Sequence, residues 1–223
     1  MAISVSDRIR EIQQKLPETV RLIAVSKTIS PRFIQEAYAA GIRDFAENRL
    51  QEAIPKIEKL QELENIRWHF IGHVQTNKAK KVLQYFPWIH SVDSLKLAER
   101  LDQVANSLGK KPKLCLQVKM LPDPNKFGWE ISQLLTDLPT LVQLQNINIQ
   151  GLMTILPLGL TDEEKLTTFI SLKTFREKIA QDYSLALPQL SMGMSNDYEI
   201  AIRADATMIR LGQLIFGPRN QPH

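Results

Sequence analysis

The run Val20-Arg21-Leu22-Ile23-Ala24-Val25-Ser26-Lys27 (VRLIAVSK) separates two architectures. A short apolar run bounded by polar residues reads as a buried strand, and the next residues then discriminate. An open doubly wound sheet that binds dinucleotides carries G-x-G-x-x-G directly after its first strand. Here Ser26-Lys27-Thr28 contains no glycine, and G-x-x-x-x-G-K-[ST] occurs nowhere in the chain. A (β/α)8 barrel makes no such demand and instead gathers its chemistry at the C-terminal ends of its strands.

Outward from that strand the pattern repeats. Strands are expected over 20–25, 44–46, 68–71, 88–92, 114–120, 147–155, 188–191 and 206–209. Helices are expected from Ser30-Pro31 through Ala40, where Gly41 stops the run, then over 49–63 and 76–85, and from a Ser94 cap to Leu108. Further helical material lies over 130–144, interrupted by Pro139, and over 162–182 and 196–203, with an extra N-terminal helix over 3–16. No Pro/Gly/Ser linker divides the chain, so the expectation is one α/β domain over 1–223, a (β/α)8 TIM-type barrel with an added N-terminal helix.

Composition narrows the functional classes. The 223 residues carry 28 basic and 24 acidic side chains, a formal charge of +4 that is too small and too interleaved for a nucleic-acid footprint. The clusters Lys78/Lys80/Lys81 and Lys110/Lys111/Lys113 read as solvated helix ends and loops. No stretch approaches the roughly 20 apolar residues of a membrane span. Arg8, Arg10 and Glu11 precede any apolar run, so no signal peptide is expected. The single Cys115 cannot form an internal disulfide, which fits a reducing compartment, the cytoplasm. Cys115 alternates with Leu114 and Leu116 and reads as a packed small hydrophobe. His69 and His73 straddle a strand end and a glycine turn, so no metal site is expected.

A lysine directly after an apolar barrel strand is unusual. In the barrel mouth, desolvation favours the neutral, nucleophilic amine that a Schiff base requires. The plain alternative has Lys27 turned outward to solvent or paired with Glu47. In the segment Leu190-Ser191-Met192-Gly193-Met194-Ser195-Asn196, backbone amides and a hydroxyl at an apparent helix start near Asn196 suit an anion, although Ser195 or Asn196 could equally be a simple cap. Arg210-Leu211-Gly212-Gln213 is expected just after the last strand, where barrels often bind phosphate. One amine with a phosphate site suggests a phosphorylated aldehyde, pyridoxal phosphate above all.

Residues in order along nearly the whole chain also resemble the pyridoxal-phosphate homeostasis protein family, a single-barrel relative of the alanine racemase N-terminal domain. They are AVSK ending at Lys27, Glu47-Asn48-Arg49, WHFIGHVQTNKAK starting at Trp68, HSVDS starting at His90, Lys126-Phe127-Gly128, Gly151-Leu152-Met153-Thr154, LSMGMSND starting at Leu190, and RLGQLIFG starting at Arg210. The resemblance implies a pyridoxal 5′-phosphate aldimine on Lys27, phosphate binding by Ser195, Gly212 and Gln213, and Arg210 facing the pyridine nitrogen. It implies that Asn48 and Met153 line the ring and that Ser191, Met192 and Gly193 shape the phosphate end. It further implies a monomer that buffers or delivers the cofactor, with PLP-dependent apo-enzymes as recipients, rather than an enzyme with robust turnover. A racemase would need a second acid/base residue from a further domain, and the sequence ends at His223.

An arginine at the ring nitrogen stays charged and disfavours protonation there, weakening the electron sink of carbanion chemistry. The resemblance also marks a departure: Asp205 stands where glycine is common, and its carboxylate is expected to repel a nearby phosphate. Two other readings use the same residues. One is a PLP-dependent racemase or lyase, and the other is a barrel for another phosphorylated metabolite with Lys27 as a plain cation.

Overall fold

Parallel strands cannot be joined by tight turns, so each apolar run here returns through a helix that covers the sheet. The computed structural model describes residues 3–218; His223 lies outside them. In chain order the elements are α1 (Val5–Lys15), β1 (Arg21–Val25), α2 (Pro31–Ala39), β2 (Asp44–Glu47), α3 (Leu50–Lys59) and β3 (Arg67–Phe70). A 3-10 turn (Thr76–Lys78) leads into α4 (Ala79–Tyr85), then β4 (Trp88–Val92), α5 (Leu95–Leu108), β5 (Lys113–Lys119), β6 (Trp129–Glu130) and α6 (Ile131–Leu141). The chain continues with β7 (Asn148–Met153), α7 (Asp162–Asp182), β8 (Gln189–Ser191), α8 (Tyr198–Arg203), β9 (Met208–Leu211) and α9 (Gln213–Phe216).

The strands run β4-β3-β2-β1-β9-β8-β7-β5 and close through a β4–β5 pairing. Every pairing is parallel, and β6 adds a two-residue flap hydrogen-bonded to β5. This is the expected eight-stranded barrel, with α1 as the added helix. Ser4 caps α1 by accepting from the Asp7 amide at 3.1 Å, and its buried face of Val5, Ile9 and Ile12 packs near α2 and α9. Thr161 and Glu164 form a reciprocal capping box at the start of α7. No helix among the described residues is long and apolar enough to cross a membrane.

Two cores result. The larger lies between strands and helices and includes Leu22, Ala24, Phe45, Leu101, Leu152 and Ile209. The smaller fills the barrel with Ile23, Val25, Ala46, Trp88, Cys115, Met153 and Met208. Alternate residues of one strand face opposite cores, as a period of two requires. Cys115 is fully buried, and burial pushes its thiol up to about 12, so it packs as an inert hydrophobe.

Three local expectations need correction. Pro139 does not interrupt α6, which runs on to Leu141 because Leu134, Leu138 and Leu141 anchor one face in the core. The last strand lies later than 206–209: the pairs Arg21–Met208, Leu22–Ile209, Ile23–Arg210 and Ala24–Leu211 place Arg210 within β9 and not after it. Asp205 sits ahead of β9, at the barrel end opposite Leu211, with the length of that strand, about 10 Å at roughly 3.3 Å per residue, lying between it and the mouth. Its carboxylate accepts from Lys173 Nζ at 2.6 Å, and its φ of +62° is one that Asp tolerates. Repulsion of a ligand phosphate by Asp205 is therefore removed by geometry.

Gly151 marks the tightest approach within the barrel wall, where a Cβ would overlap the carbonyl of Gln189 on β8. Gly151→Ala must push two paired strands apart and is expected to destabilise the fold by about 1–3 kcal/mol. Urea unfolding would show this as a lower midpoint with an unchanged slope.

Candidate functional site

Strand parity selects what reaches the barrel mouth. Ile23 and Val25 point inward on β1, and Lys27 continues their parity two residues on. It is half-buried and lines a cavity of about 490 Å³, within the range of small-molecule sites. The turn beneath it is clamped. The Ser26 amide donates to the Ala46 carbonyl (2.9 Å), and the Ser26 hydroxyl donates to Glu47 Oε1 (2.7 Å). Lys56 Nζ donates to both the Ser26 carbonyl (2.8 Å) and Glu47 Oε1 (2.9 Å). Glu47 is fully buried, and its desolvation raises its pKa against the pull of Lys56 and Ser26. Its ion-pair partner is thus Lys56.

The cavity also takes in Asn48, Met153, Ser195, Arg210, Gly212 and Gln213. These six sit at the ends of β2, β7, β8 and β9 and converge with Lys27 from four directions. Gly72 completes one wall; a Cβ there would collide with the Asn48 carbonyl, so only glycine lets these two loops meet. Ser191, Met192 and Gly193 are buried and are not among the lining residues. Ser191 faces the barrel interior, Met192 packs into the outer core, and Gly193, at φ +92°, would press a Cβ 2.7 Å from Ala201 Cβ.

The loop after β8 differs from a helix cap. α8 starts at Tyr198, not near Asn196, with Asp197 at the N-cap position. Asp197 Oδ1 accepts from the Met194 amide at 2.6 Å and turns the loop. Neither Ser195 nor Asn196 caps the helix, and Ser195 is left half-buried on the cavity wall. Since α8 has six residues, any anion affinity here comes from loop amides and the hydroxyl and not from a long helix dipole.

Arg210 forms the cavity floor and is 3% exposed. Its Nη1 donates to Ser191 Oγ at 2.6 Å and its Nη2 to the Thr154 carbonyl at 2.9 Å. Burial pulls its pKa down to about 10, so it remains a cation at neutral pH. From Ser191 a line of polar contacts crosses the barrel. His90 Nδ1 lies 2.7 Å from Ser191 Oγ, His90 Nε2 lies 2.8 Å from His69 Nδ1, and His69 Nε2 lies 2.9 Å from Asp44 Oδ1. Arg67 clasps the same carboxylate through Nε (2.8 Å) and Nη2 (2.5 Å). Burial lowers the pKa of both histidines, that of His90 furthest. Burial alone would raise that of Asp44, but the hydrogen bonds from Arg67 and His69 outweigh it and hold the carboxyl well below its ordinary range.

Sequence reasoning passed over several cavity residues. The loop Ile155-Leu156-Pro157-Leu158-Gly159-Leu160 and Lys165 of α7 form one side, and Asp197, beside the expected Asn196, lies on another. Their signal was positional, since they follow the β7 and β8 strand ends. His73 lies elsewhere, with Nδ1 2.8 Å from Asp93 Oδ2 and its ring stacked on Phe127 at 3.7 Å. Of the second lysine cluster, Lys110 donates to the Leu83 and Gln84 carbonyls at 2.8 and 3.0 Å.

The chain matches one family model, alanine racemase N-terminal domain, over residues 3–220. The chain belongs to this family and, within it, to the pyridoxal phosphate homeostasis proteins. A relative so named from Synechocystis sp. is 55% identical over 209 residues, covering 94% of this chain and 96% of that protein. Another from Pseudomonas aeruginosa is 41% identical over 220 residues, covering 97% and 93%. The structure of PipY from Synechococcus elongatus PCC7942 with PLP bound superposes with a TM-score of 0.93 at 49% identity, covering 96% of this chain and all (100%) of that one.

The Asp44 geometry predicts a pH dependence with a definite sign. Its carboxyl has a lower pKa folded than unfolded, so the stability it contributes is present above about pH 3.9 and is lost as pH falls through the folded value. Asp44→Asn is expected to lower stability at pH 7 by about 1–3 kcal/mol. In urea titrations that deficit against the wild type should shrink steadily below about pH 4.

Proposed function

We propose that this chain carries pyridoxal 5′-phosphate as an imine on Lys27 and acts in intracellular vitamin B6 and amino-acid homeostasis without robust catalysis. The observation that carries this reading is Lys27 itself, half-buried on the inward parity of β1 in a cavity it shares with Arg210, Ser195 and Gly212. The cofactor would supply an aldehyde carbon, with which the Lys27 amine would condense with loss of one water, C=N replacing C=O. The donor set fits such a ligand: one amine for the carbonyl, loop amides with a hydroxyl for the phosphate, and a guanidinium at the cavity floor.

In this reading Ser195, Gly212 and Gln213 hold the phosphate, Asn48 and Met153 flank the ring, and Arg210 faces the pyridine nitrogen. Ser191, Met192 and Gly193 support the phosphate end from beneath the rim. With a pKa of about 10, Arg210 keeps its charge and opposes protonation of the ring nitrogen. The cofactor's capacity to stabilise a carbanion is thereby weakened, which suits a carrier better than a racemase or lyase. The chain would work as one domain and a monomer in the cytoplasm, passing cofactor to PLP-dependent apo-enzymes.

Borohydride reduction followed by mass spectrometry tests the linkage. The protein purified with ample vitamin B6 should show one reduced pyridoxyl-phosphate adduct mapped to Lys27, and Lys27→Ala should show none. An unmodified Lys27 in the wild-type protein would overturn the assignment. Ser195→Ala should keep the adduct but weaken noncovalent retention of the cofactor by about 1–3 kcal/mol, the effect of losing one hydrogen bond to a charged group.

A further inference from the structure

The polar line through the barrel has a direction that its chemistry fixes. Asp44 is ionised and can only accept, so the facing His69 Nε2 must carry a proton. His69 is fully buried beside the cation Arg67, with Arg21 also opposing further positive charge, and is neutral; its Nδ1 is therefore bare. A bare Nδ1 on His69 requires a proton on His90 Nε2, which leaves His90 Nδ1 bare as well. The Ser191 hydroxyl must then donate to His90 Nδ1, and its lone pairs are left to accept from Arg210. Every proton points from the cavity floor toward Asp44, and every buried polar atom of the line is satisfied.

We propose that Asp44, His69, His90 and Ser191 form a one-way hydrogen-bond chain whose task is to position Arg210 against the cofactor ring. The inference rests on the cofactor reading above and deepens it by naming what holds Arg210. Among the described residues no carboxylate is hydrogen-bonded to Arg210; its hydrogen bonds go to a hydroxyl and a carbonyl, both neutral. Its guanidinium is thus held in place while its charge stays directed at the cavity. Asp44, the carboxylate that ends the chain, is three side chains removed and already paired with Arg67, while Asp197 on the cavity wall acts on Arg210 through space only and turns its Oδ1 to the Met194 amide. The four positioning residues come from β2, β3, β4 and β8, so the strand closure of the barrel is itself what aligns them. One extra proton on His69 would reverse the line: His90 Nδ1 would then donate to Ser191, which would accept from two sides and leave its own proton without a partner in the chain.

Two measurements test this separately from the cofactor reading. In cofactor-free protein at neutral pH, ¹⁵N spectra of the imidazoles should show protonated Nε2 and bare Nδ1 for both His69 and His90. A proton on His90 Nδ1 would overturn the direction of the chain. In protein loaded with pyridoxal phosphate, Ser191→Ala should shift the visible absorbance band and the pyridine ¹⁵N signal while the Lys27 adduct survives borohydride. His90→Phe should give the same shift, not a further one when combined with Ser191→Ala, and His90→Gln, which can both accept and donate, should restore much of the wild-type spectrum. If His90→Phe does not fold, Ser191→Ala, which removes one oxygen, decides alone. A wild-type protein without the adduct refutes the cofactor reading; an adduct with an unmoved Ser191→Ala spectrum refutes the chain.

Discussion

Closure of eight parallel strands imposes one rule on the interior: alternate residues of each strand must share it. On β1 that rule sends Ile23 and Val25 into the barrel and carries Lys27 to its mouth. The same parity on β9 brings Met208 and Arg210 inward, and on β7 it brings Met153. The cavity is therefore a consequence of register. A one-residue slip of β9 against β1 would exchange Arg210 for Leu211 and place an arginine in the outer core. The clamp of Ser26, Glu47 and Lys56 fixes the remaining freedom, since it holds the peptide before Lys27 from three sides.

The barrel interior is divided between an apolar packing and a polar line. Trp88, Cys115 and Met208 fill space without direction, whereas Asp44, His69, His90, Ser191 and Arg210 each have defined partners. Placing such groups in low dielectric is favourable only when every donor and acceptor is matched, and the mismatched alternatives are strongly penalised. The arrangement thus trades tolerance for specificity, and it spans the molecule from Arg67 at the strand starts to the cavity floor.

Much of this was legible in the sequence. The VRLIAVSK run, the Ser94 cap and the helix over 162–182 each declare themselves through local periodicity and capping chemistry, and the observed elements match them. The lysine at a strand end is likewise a local signal. What escaped was non-local. Nothing near Arg210 reveals that β9 ends at Leu211, because its pairing partner is β1 at the other end of the chain. His90 and Ser191 are 101 residues apart, and only strand closure makes them neighbours. Pro139 misled in the opposite sense: a strong local helix breaker was overridden by leucines on the buried face of α6. Asp205 was legible as a departure from glycine, but neither its φ of +62° nor its distance from the mouth was.

The central claim concerns where one amine and one guanidinium stand relative to a bound ring. A crystal structure of the protein grown with pyridoxal phosphate addresses it directly. The account predicts continuous density from Lys27 Nζ to the ring's side carbon, Arg210 at the ring nitrogen, and the phosphate over Ser195 and Gly212. A cofactor bound elsewhere, or a Lys27 side chain turned away to the outside of the barrel, would contradict it.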